Sequence, residues 1–336
     1  MKEYLFNTIK ELLEVDSPSG FTNNIRKKLK EIILNLGYKF EETKKGNIIV
    51  KAKGKENKNI GLSAHVDTLG LMVTSINSNG TLNFLPVGGP IIPSLDSEYC
   101  KIYTRDNKVY TGTILSTSES VHVYQDAQTK PRTPENMVVR IDEKVRNKND
   151  VLNLGINNGD FICYNPKVEI INDFVKSRFL DDKASAGILI TLLKYLKENK
   201  IIPNSNLIFI FSTYEEVGHG TCNIPELDEF LAVDMGCVGK DLDGNEYAVS
   251  ICAKDSFSPY DYDLTTKLIN LAKDHGINYV IDVFPKYSSD VSAGLRGGND
   301  FKGALIGPGV HASHGMERTH LEGLINTFNL LIEYIK

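Results

Sequence analysis

Residues 206–220 read NLIFIFSTYEEVGHG, and this stretch indicates the fold more strongly than any other. Its unbroken apolar run is typical of a strand buried inside a sheet. Glu215 and Glu216 follow at once, and a glycine-rich turn comes next. Two neighbouring carboxylates just past a buried strand repel one another unless they share a cation or a proton, whereas a solvated acidic turn would not need such a strand. The stretch therefore predicts an α/β sheet with a charged site at the end of one strand.

Two further apolar strands end in candidate metal ligands. Residues 62–70 read LSAHVDTLG, where His65 closes the strand and Asp67 can accept a hydrogen bond from its imidazole. Residues 230–236 read FLAVDMG and place Asp234 at the end of another such strand. A His-x-Asp sequence after a strand is also common as a purely structural pair. Taken alone, neither strand end decides between the two interpretations.

A pair of acids precedes a predicted helix in residues 177–187, which read SRFLDDKASAG. Asp181 and Asp182 stand at the mouth of this helix, whose positive end favours anions. Acids in this position are often simple helix caps. A carboxylate presented in this way can also give one oxygen to each of two metal ions about 3.5–4 Å apart.

Histidines are concentrated in residues 309–324, which read GVHASHGMERTHLEGL. His311, His314 and His320 are three of the seven histidines of the chain, and only one of them need be a ligand. Together with the preceding segments they complete the order His, Asp, Glu-Glu, Asp, His at strand ends and helix starts. This order is typical of a carboxylate-rich site for two metal ions.

The composition excludes several other classes of protein. The chain has 336 residues, 41% of them hydrophobic, and a formal net charge of -5, so nucleic acid is not an expected partner. No stretch is apolar enough to predict a membrane span, and the first residues predict a helix rather than a signal peptide. The five cysteines form no Cys-x-x-Cys pair, so a reducing cytoplasm is the expected location.

The pattern of residues changes twice along the chain. Residues 1–67 and 167–336 alternate predicted helices and strands, as an α/β domain does. Residues 68–166 contain short β-branched and aromatic runs separated by turns, with no long helical period. We therefore predict one α/β catalytic domain interrupted by an inserted all-β domain.

The motifs resemble those of the cytoplasmic two-metal aminopeptidases of clan MH, typified by the tetrahedral (TET) and the glutamyl aminopeptidases. The resemblance rests on AHVDTLG, LDDKASAG, TYEEVG, VDMG and GVHASHGMERTHLEG. It continues through the insertion, where VGG at 87–89, TGTIL at 111–115 and LGINNGDFI at 154–162 are similar to the dimerisation domain of that family. It implies a mixed-sheet catalytic domain sandwiched by helices, as in zinc exopeptidases, and removal of N-terminal residues from peptides.

The resemblance also implies a role for each site residue. It assigns one metal ion to His65 and Asp234 and the other to Glu216 and His320, with Asp181 in the bridging position. It makes Glu215 the general base that activates a metal-bridging water. Asp67 would orient His65. Asp182 would follow Asp181 across a cis peptide bond. His320 is preferred because it directly precedes the final helix, and His314 is the alternative, either as a ligand or as a substrate-binding residue.

Cofactors and partners follow from the same likeness. Two divalent ions per subunit are expected, with zinc preferred and cobalt or manganese as alternatives. Peptides are the expected substrates, and the inserted domain would form at least a dimer, in a family that also builds twelve-subunit shells. Within residues 285–303, Lys286 or Arg296 could favour acidic N-terminal residues.

Four other functions are compatible with parts of this pattern. A deacylase or a carboxypeptidase could use the same two-metal site. A glycosidase also needs paired carboxylates, but it would leave His65, Asp234 and His320 without a role, and the chain has no Trp for sugar stacking. A binding scaffold would keep the metal without turnover.

Overall fold

The computed structural model describes residues 1–336, which divide into two compact units. The first unit contains Met1–Thr68 and Lys167–Lys336, and the second contains Leu69–Pro166. The first is an α/β unit and the second consists almost entirely of strands. The predicted fold class, a mixed α/β sheet together with a separate all-β portion, is confirmed.

Helices and strands alternate along most of the chain. The α-helices are α1 (Lys2–Leu13), α2 (Asn23–Asn35), α3 (Lys148–Leu154), α4 (Leu180–Glu198), α5 (Tyr262–Asp274), α6 (Asp290–Arg296) and α7 (Leu321–Ile335). The strands are β1 (Phe40–Glu42), β2 (Ile48–Ala52), β3 (Asn59–His65), β4 (Gly70–Ile76), β5 (Leu82–Val87), β6 (Tyr99–Tyr103), β7 (Val109–Ser116), β8 (Met137–Ile141), β9 (Phe161–Tyr164), β10 (Glu169–Ile171), β11 (Phe174–Ser177), β12 (Asn206–Ser212), β13 (Glu229–Val233), β14 (Gly236–Val238), β15 (Val249–Lys254), β16 (Tyr279–Val283), β17 (Lys302–His311) and β18 (Glu317–His320). Short 3-10 helices lie at Ile92–Leu95, Pro134–Asn136 and Glu215–Val217.

The first unit is built on one large mixed sheet. Its strands follow the order β1-β2-β12-β3-β13-β17-β18-β11-β10, while β14 and β15 also pair with β17. The four strands β12, β3, β13 and β17 run parallel to one another in the middle of the sheet. Their carboxyl ends therefore reach the same edge, where an open parallel sheet places its ligand crevice.

Helices cover both faces of these central strands. Every residue of β13 is buried, as expected for a parallel strand that is covered on both sides. Helices α1, α4 and α7 pack together and against β3 and β17. Helix α6 contributes Val291 to an apolar cluster that includes Phe230 and Leu305 from the sheet. Helices on the two faces of the sheet thereby hold the central strands and their carboxyl ends in place.

Gly307 shows how closely the backbones approach near this edge. A Cβ atom at this position would lie 1.4 Å from the carbonyl oxygen of Asp234. Only glycine, which has no side chain, can therefore occupy position 307, where β17 passes the end of β13. The contact fixes the position of Asp234 at the end of β13.

The second unit is a closed antiparallel barrel with the strand order β4-β5-β8-β7-β6-β9. Its one α-helix, α3, begins at an Asn147 side chain that accepts the backbone N–H of Asp150. It ends at Gly155, whose φ of 94° is the left-handed conformation that favours glycine. In neither unit is any helix both long enough and apolar enough to span a membrane.

Candidate metal-binding active site

The parallel strands bring three of the predicted site segments to one edge of the sheet. His65 is the last residue of β3 and pairs in register with Ser212, the last residue of β12. The short 3-10 helix that follows β12 carries Glu215 and Glu216. Asp234 directly follows β13, and its backbone N–H donates to the carbonyl of Ile306 on β17.

The start of α4 delivers the two aspartates to the same place. The backbone dihedrals of Asp181 and Asp182 are not helical, and the peptide bond between them is cis. Asp181 Oδ1 lies 3.1 Å from His65 Nε2, and Asp182 Oδ2 accepts the backbone N–H of His65 at 3.1 Å. Both carboxylates are buried, so α4 presents acids to the site rather than to water.

Two groups of side chains could each hold a metal ion. His65, Asp181 and Glu216 offer one ligand atom each, and these atoms lie within 4.8 Å of one another. The same is true of His65, Asp182 and Asp234. The two groups share His65, so together they form one continuous cluster.

The structure does not bring His320 into this cluster. Its ring contacts those of Phe174 and Tyr247, with centroids 4.6 and 5.0 Å away, and its Nδ1 accepts the backbone N–H of Glu322 at the start of α7. His320 lies just before the last helix, as the sequence predicted, and caps it there.

His314, the alternative to His320, lies beside the acids of the cluster. Its Nε2 lies 3.5 Å from Asp181 Oδ2 and 3.5 Å from Glu216 Oε2. The neighbouring Ser313 Oγ donates to Asp181 Oδ2 at 3.2 Å. The turn between β17 and β18 thus brings a second imidazole to the acids, in addition to that of His65.

Burial and mutual repulsion strongly shift the pKa values of the acids. Burial, followed by repulsion from Asp181, raises the pKa of Asp234 to about 7. Burial, reinforced by neighbouring acids, also holds the pKa values of Asp182, Glu215 and Glu216 well above the usual range. Burial acts on Asp181 too, but hydrogen bonds from His314 and His65 outweigh it and lower the pKa of that carboxyl.

These residues fit a divalent cation. Asp182 Oδ1 and Glu216 Oε1 are buried and have no hydrogen-bond partner within the protein. An unpaired buried carboxylate oxygen is costly unless a cation neutralises it. Imidazole and carboxylate ligands suit zinc and similar first-row ions, so the donor set agrees with the predicted chemistry.

Glu215 and Glu216 differ in their surroundings, although they are neighbours. The Glu216 side chain is 4% exposed, whereas that of Glu215 is 11% exposed and its Oε2 lies 3.7 Å from His65 Nε2. The backbone N–H groups of both residues donate to the buried carboxylate of Asp67, at 3.2 and 3.3 Å. Asp67 also approaches His65, with its carbonyl oxygen 3.0 Å from Nδ1.

Two further buried acids near the site carried no signal in the sequence. Glu317 on β18 accepts the backbone N–H groups of Asp181 and His314. Asp290 at the start of α6 accepts the Ser212 hydroxyl at 2.6 Å. Glu317 stands in a charged segment, and Asp290 resembles an ordinary helix-start acid, so neither residue differs locally from a solvent-facing one.

The metal-free protein should lose stability as the pH rises. Burial is the main cause that raises the pKa of Asp290 to about 6, of Asp234 to about 7 and of Glu317 to about 8. In an unfolded chain such groups titrate near pH ~4. Their stabilising contribution is therefore complete below pH ~4 and is lost as the pH passes through about 6 to 8.

Urea unfolding of chelator-treated protein between pH 5 and 8.5 measures this effect. We expect the unfolding free energy to fall by at least ~2 kcal/mol across the range. Saturating Zn²⁺ should reduce the fall, because the ion neutralises the ionised carboxylates that it contacts. A metal-free stability that is flat or rises with pH would contradict this description of the cluster.

The predicted specificity residues lie outside the cluster. Lys286 is exposed, on the segment that leads to Tyr287, whose hydroxyl donates to the carbonyl of Met235 at 3.3 Å. Arg296 is exposed at the end of α6, with its guanidinium 5.0 Å from the centroid of the Phe257 ring. Of the two, Lys286 belongs to the segment that contacts the residue after Asp234.

The chain is similar to known aminopeptidases over nearly its whole length. It is 42% identical over 332 residues to "Putative aminopeptidase YhfE" of Bacillus subtilis (strain 168), covering 98% of this chain and 96% of that protein. It is 30% identical over 245 residues to the glutamyl aminopeptidase of Lactococcus lactis subsp. cremoris (strain MG1363), covering 68% and 66%. The solved dodecamer PhTET1-12s superposes with a TM-score of 0.86, at 25% identity and 98% coverage of both chains.

The family model of the M42 glutamyl aminopeptidases matches residues 46–330. This range contains every residue of the cluster, from His65 to His314. With a match over most of its length, the chain belongs to the M42 glutamyl aminopeptidase family.

Proposed function

We propose that this protein is a metal-dependent aminopeptidase whose general base is Glu215. The observation that carries the proposal is the difference in surroundings between the two neighbouring glutamates. Glu216 directs a buried, unpaired oxygen into the ligand cluster, while Glu215 keeps contact with solvent beside His65. One glutamate can thus hold a cation while the other exchanges a proton with water.

We assign the ligands as His65, Asp181, Glu216, Asp234 and His314. His314 replaces the predicted His320 because its imidazole lies beside Asp181 and Glu216. Asp181 remains the proposed bridging residue, since it approaches both His65 and His314. Two divalent ions are proposed, with zinc preferred and cobalt or manganese as alternatives.

The residues of the site have different roles in hydrolysis. When bound, the ions supply a Lewis acid for the scissile carbonyl and favour ionisation of the attacking water. Glu215 accepts a proton from that water and later donates it to the leaving amine. Asp67 keeps Glu215 and Glu216 in place through their backbone N–H groups and orients His65.

A panel of aminoacyl-p-nitroanilides with matched N-acetylated controls tests this function. Activity is measured before and after chelation and after addition of Zn²⁺, Co²⁺ or Mn²⁺. We expect metal-restored cleavage of the free-amine substrates alone. Cleavage of the acetylated substrates would favour a deacylase, and activity that survives chelation would refute the metal-dependent mechanism.

Lys286 is the residue that we propose to favour acidic N-terminal side chains. Its segment contacts the residue that follows Asp234, whereas Arg296 is engaged with Phe257. Lys286→Met should lower kcat/KM for Glu-p-nitroanilide about 10-fold relative to Leu-p-nitroanilide, a size typical of a single specificity contact. Arg296→Met is the matched control and should leave this ratio unchanged. The reverse pattern would transfer the role to Arg296.

We further propose that the protein forms a homo-oligomer in the cytoplasm. The structurally similar PhTET1-12s is a dodecamer, and the barrel unit exposes Val121 and Val123 with 60% and 73% of their surfaces accessible. The five cysteines are all free, which suits a reducing compartment. Light scattering after gel filtration distinguishes monomer, dimer and dodecamer, and a monomer would refute the proposed assembly.

A further inference from the structure

The turn that carries His314 has a backbone conformation that needs support. Ala312 and His314 adopt φ angles of 59° and 64°, in the left-handed region that disfavours residues with a side chain. Strained residues of this kind persist only where the surrounding structure fixes them. Something beyond the turn itself must therefore hold the imidazole against the acids.

Glu317 supplies that support with both of its carboxylate oxygens. Oε1 accepts the backbone N–H of His314 at 2.9 Å, and Oε2 accepts the backbone N–H of Asp181 at 3.1 Å. The residue is 1% exposed and pairs with Ser177 at the β11–β18 contact, just before the segment that leads to Asp181. One side chain thus connects two ligand residues that are far apart in the sequence.

A second buried carboxylate holds two other site residues in the same way. Asp67 also uses its two oxygens to accept the backbone N–H groups of two site residues, Glu215 and Glu216. Two buried carboxylates therefore each connect a pair of site residues through the main chain. A neutral amide in such a place could accept only one of the two bonds, because its NH₂ group would face the second N–H.

We propose that Glu317 is a positioning residue of the metal centre, which fixes His314 and Asp181 at ligating distance from one another. This inference rests on the proposed function, since it concerns two of its assigned ligands. Glu317 is not itself a ligand in this proposal, because it belongs to neither of the two groups of side chains that could hold a metal ion. Its removal should loosen the ion that His314 shares with Glu216 more than the ion at Asp234.

The experiment measures Zn²⁺ affinity directly, by competition with a chromophoric chelator, on the full-length wild type and Glu317→Gln. We expect one of the two Zn²⁺ dissociation constants to rise about 10- to 100-fold in the variant, as is typical for loss of a residue that orients a ligand. The absorption spectrum of the Co²⁺-loaded protein should change as well. An unchanged Zn²⁺ affinity would overturn the proposal.

Glu246→Gln is the matched control for a purely structural effect. Glu246 is also a buried acid, and it makes a bidentate contact with Arg318, the neighbour of Glu317 on β18. It should lower the unfolding temperature without changing the Zn²⁺ affinity, and an equal loss of affinity in both variants would overturn the proposal. If Glu317→Gln does not fold, Glu317→Asp decides, because its shorter side chain keeps the carboxyl group but cannot reach both N–H groups. A wild type that binds no divalent ion would refute the proposed function itself.

Discussion

Glu215→Gln is expected to lower kcat on the order of 10²- to 10⁴-fold or more, the range lost when a general base is removed. The amide has nearly the shape of the carboxylate but cannot accept a proton from water. Because Glu215 N–H donates through the main chain to Asp67, the substitution leaves that contact in place. Turnover of a free-amine p-nitroanilide at saturating metal and substrate measures the effect.

Metal content and folding serve as the controls for this variant. Removal of one negative charge from a crowded group of acids should leave the protein at least as stable as the wild type, since burial and neighbouring acids oppose the ionisation of Glu215. Bound Zn²⁺ should remain at the wild-type ratio. Near-normal turnover by a well-folded, metal-loaded variant would remove Glu215 from the catalytic role.

His314→Ala is expected to weaken metal binding by more than ~100-fold, beyond the loss that is typical for a residue that only supports a ligand. The substitution leaves Asp181 and Glu216 without the imidazole that faces both of them. Aminopeptidase activity should fall with the metal content and return in part at high metal concentration. Titration of the metal-free variant with Zn²⁺ measures the change.

His320→Asn is the control that distinguishes the two histidines. An Asn side chain can still accept the N–H group at the start of α7, which His320 Nδ1 accepts in the protein. We expect wild-type metal affinity and activity from this variant. Metal loss in His320→Asn together with normal binding in His314→Ala would restore the assignment made from the sequence.

The family, the fold class and the aminopeptidase activity were accessible from the sequence, and all three are confirmed. Local patterns sufficed because buried parallel strands have unbroken apolar runs, such as residues 206–212, and their ends must meet at one edge. The final helix was predicted from residue 321, where α7 begins. The roles of the individual site residues remain predictions until their variants are measured.

The place of His314 beside the acids was beyond local patterns. The position of His314 depends on a turn with left-handed residues between β17 and β18 and on the hydrogen bond that its backbone N–H donates to Glu317. Glu317 in turn is tied to Asp181, which is distant along the chain, and the sequence contains no local sign of this connection. His320 has the clearer local signal and caps a helix in the structure, and the identity of the last ligand stays a prediction.

Strand β17 comes late in the chain, yet it pairs with β13, β14, β15 and β18. A nascent chain on the ribosome therefore exposes His65 and most of the acids long before the strand that completes their neighbourhood has been synthesised. Such non-local pairing tends to make folding slow, and repulsion between the carboxylates should oppose early packing of the chain around them. With the proposed ligands, metal loading would be a late event in biogenesis, because His314 is synthesised after the other ligand residues.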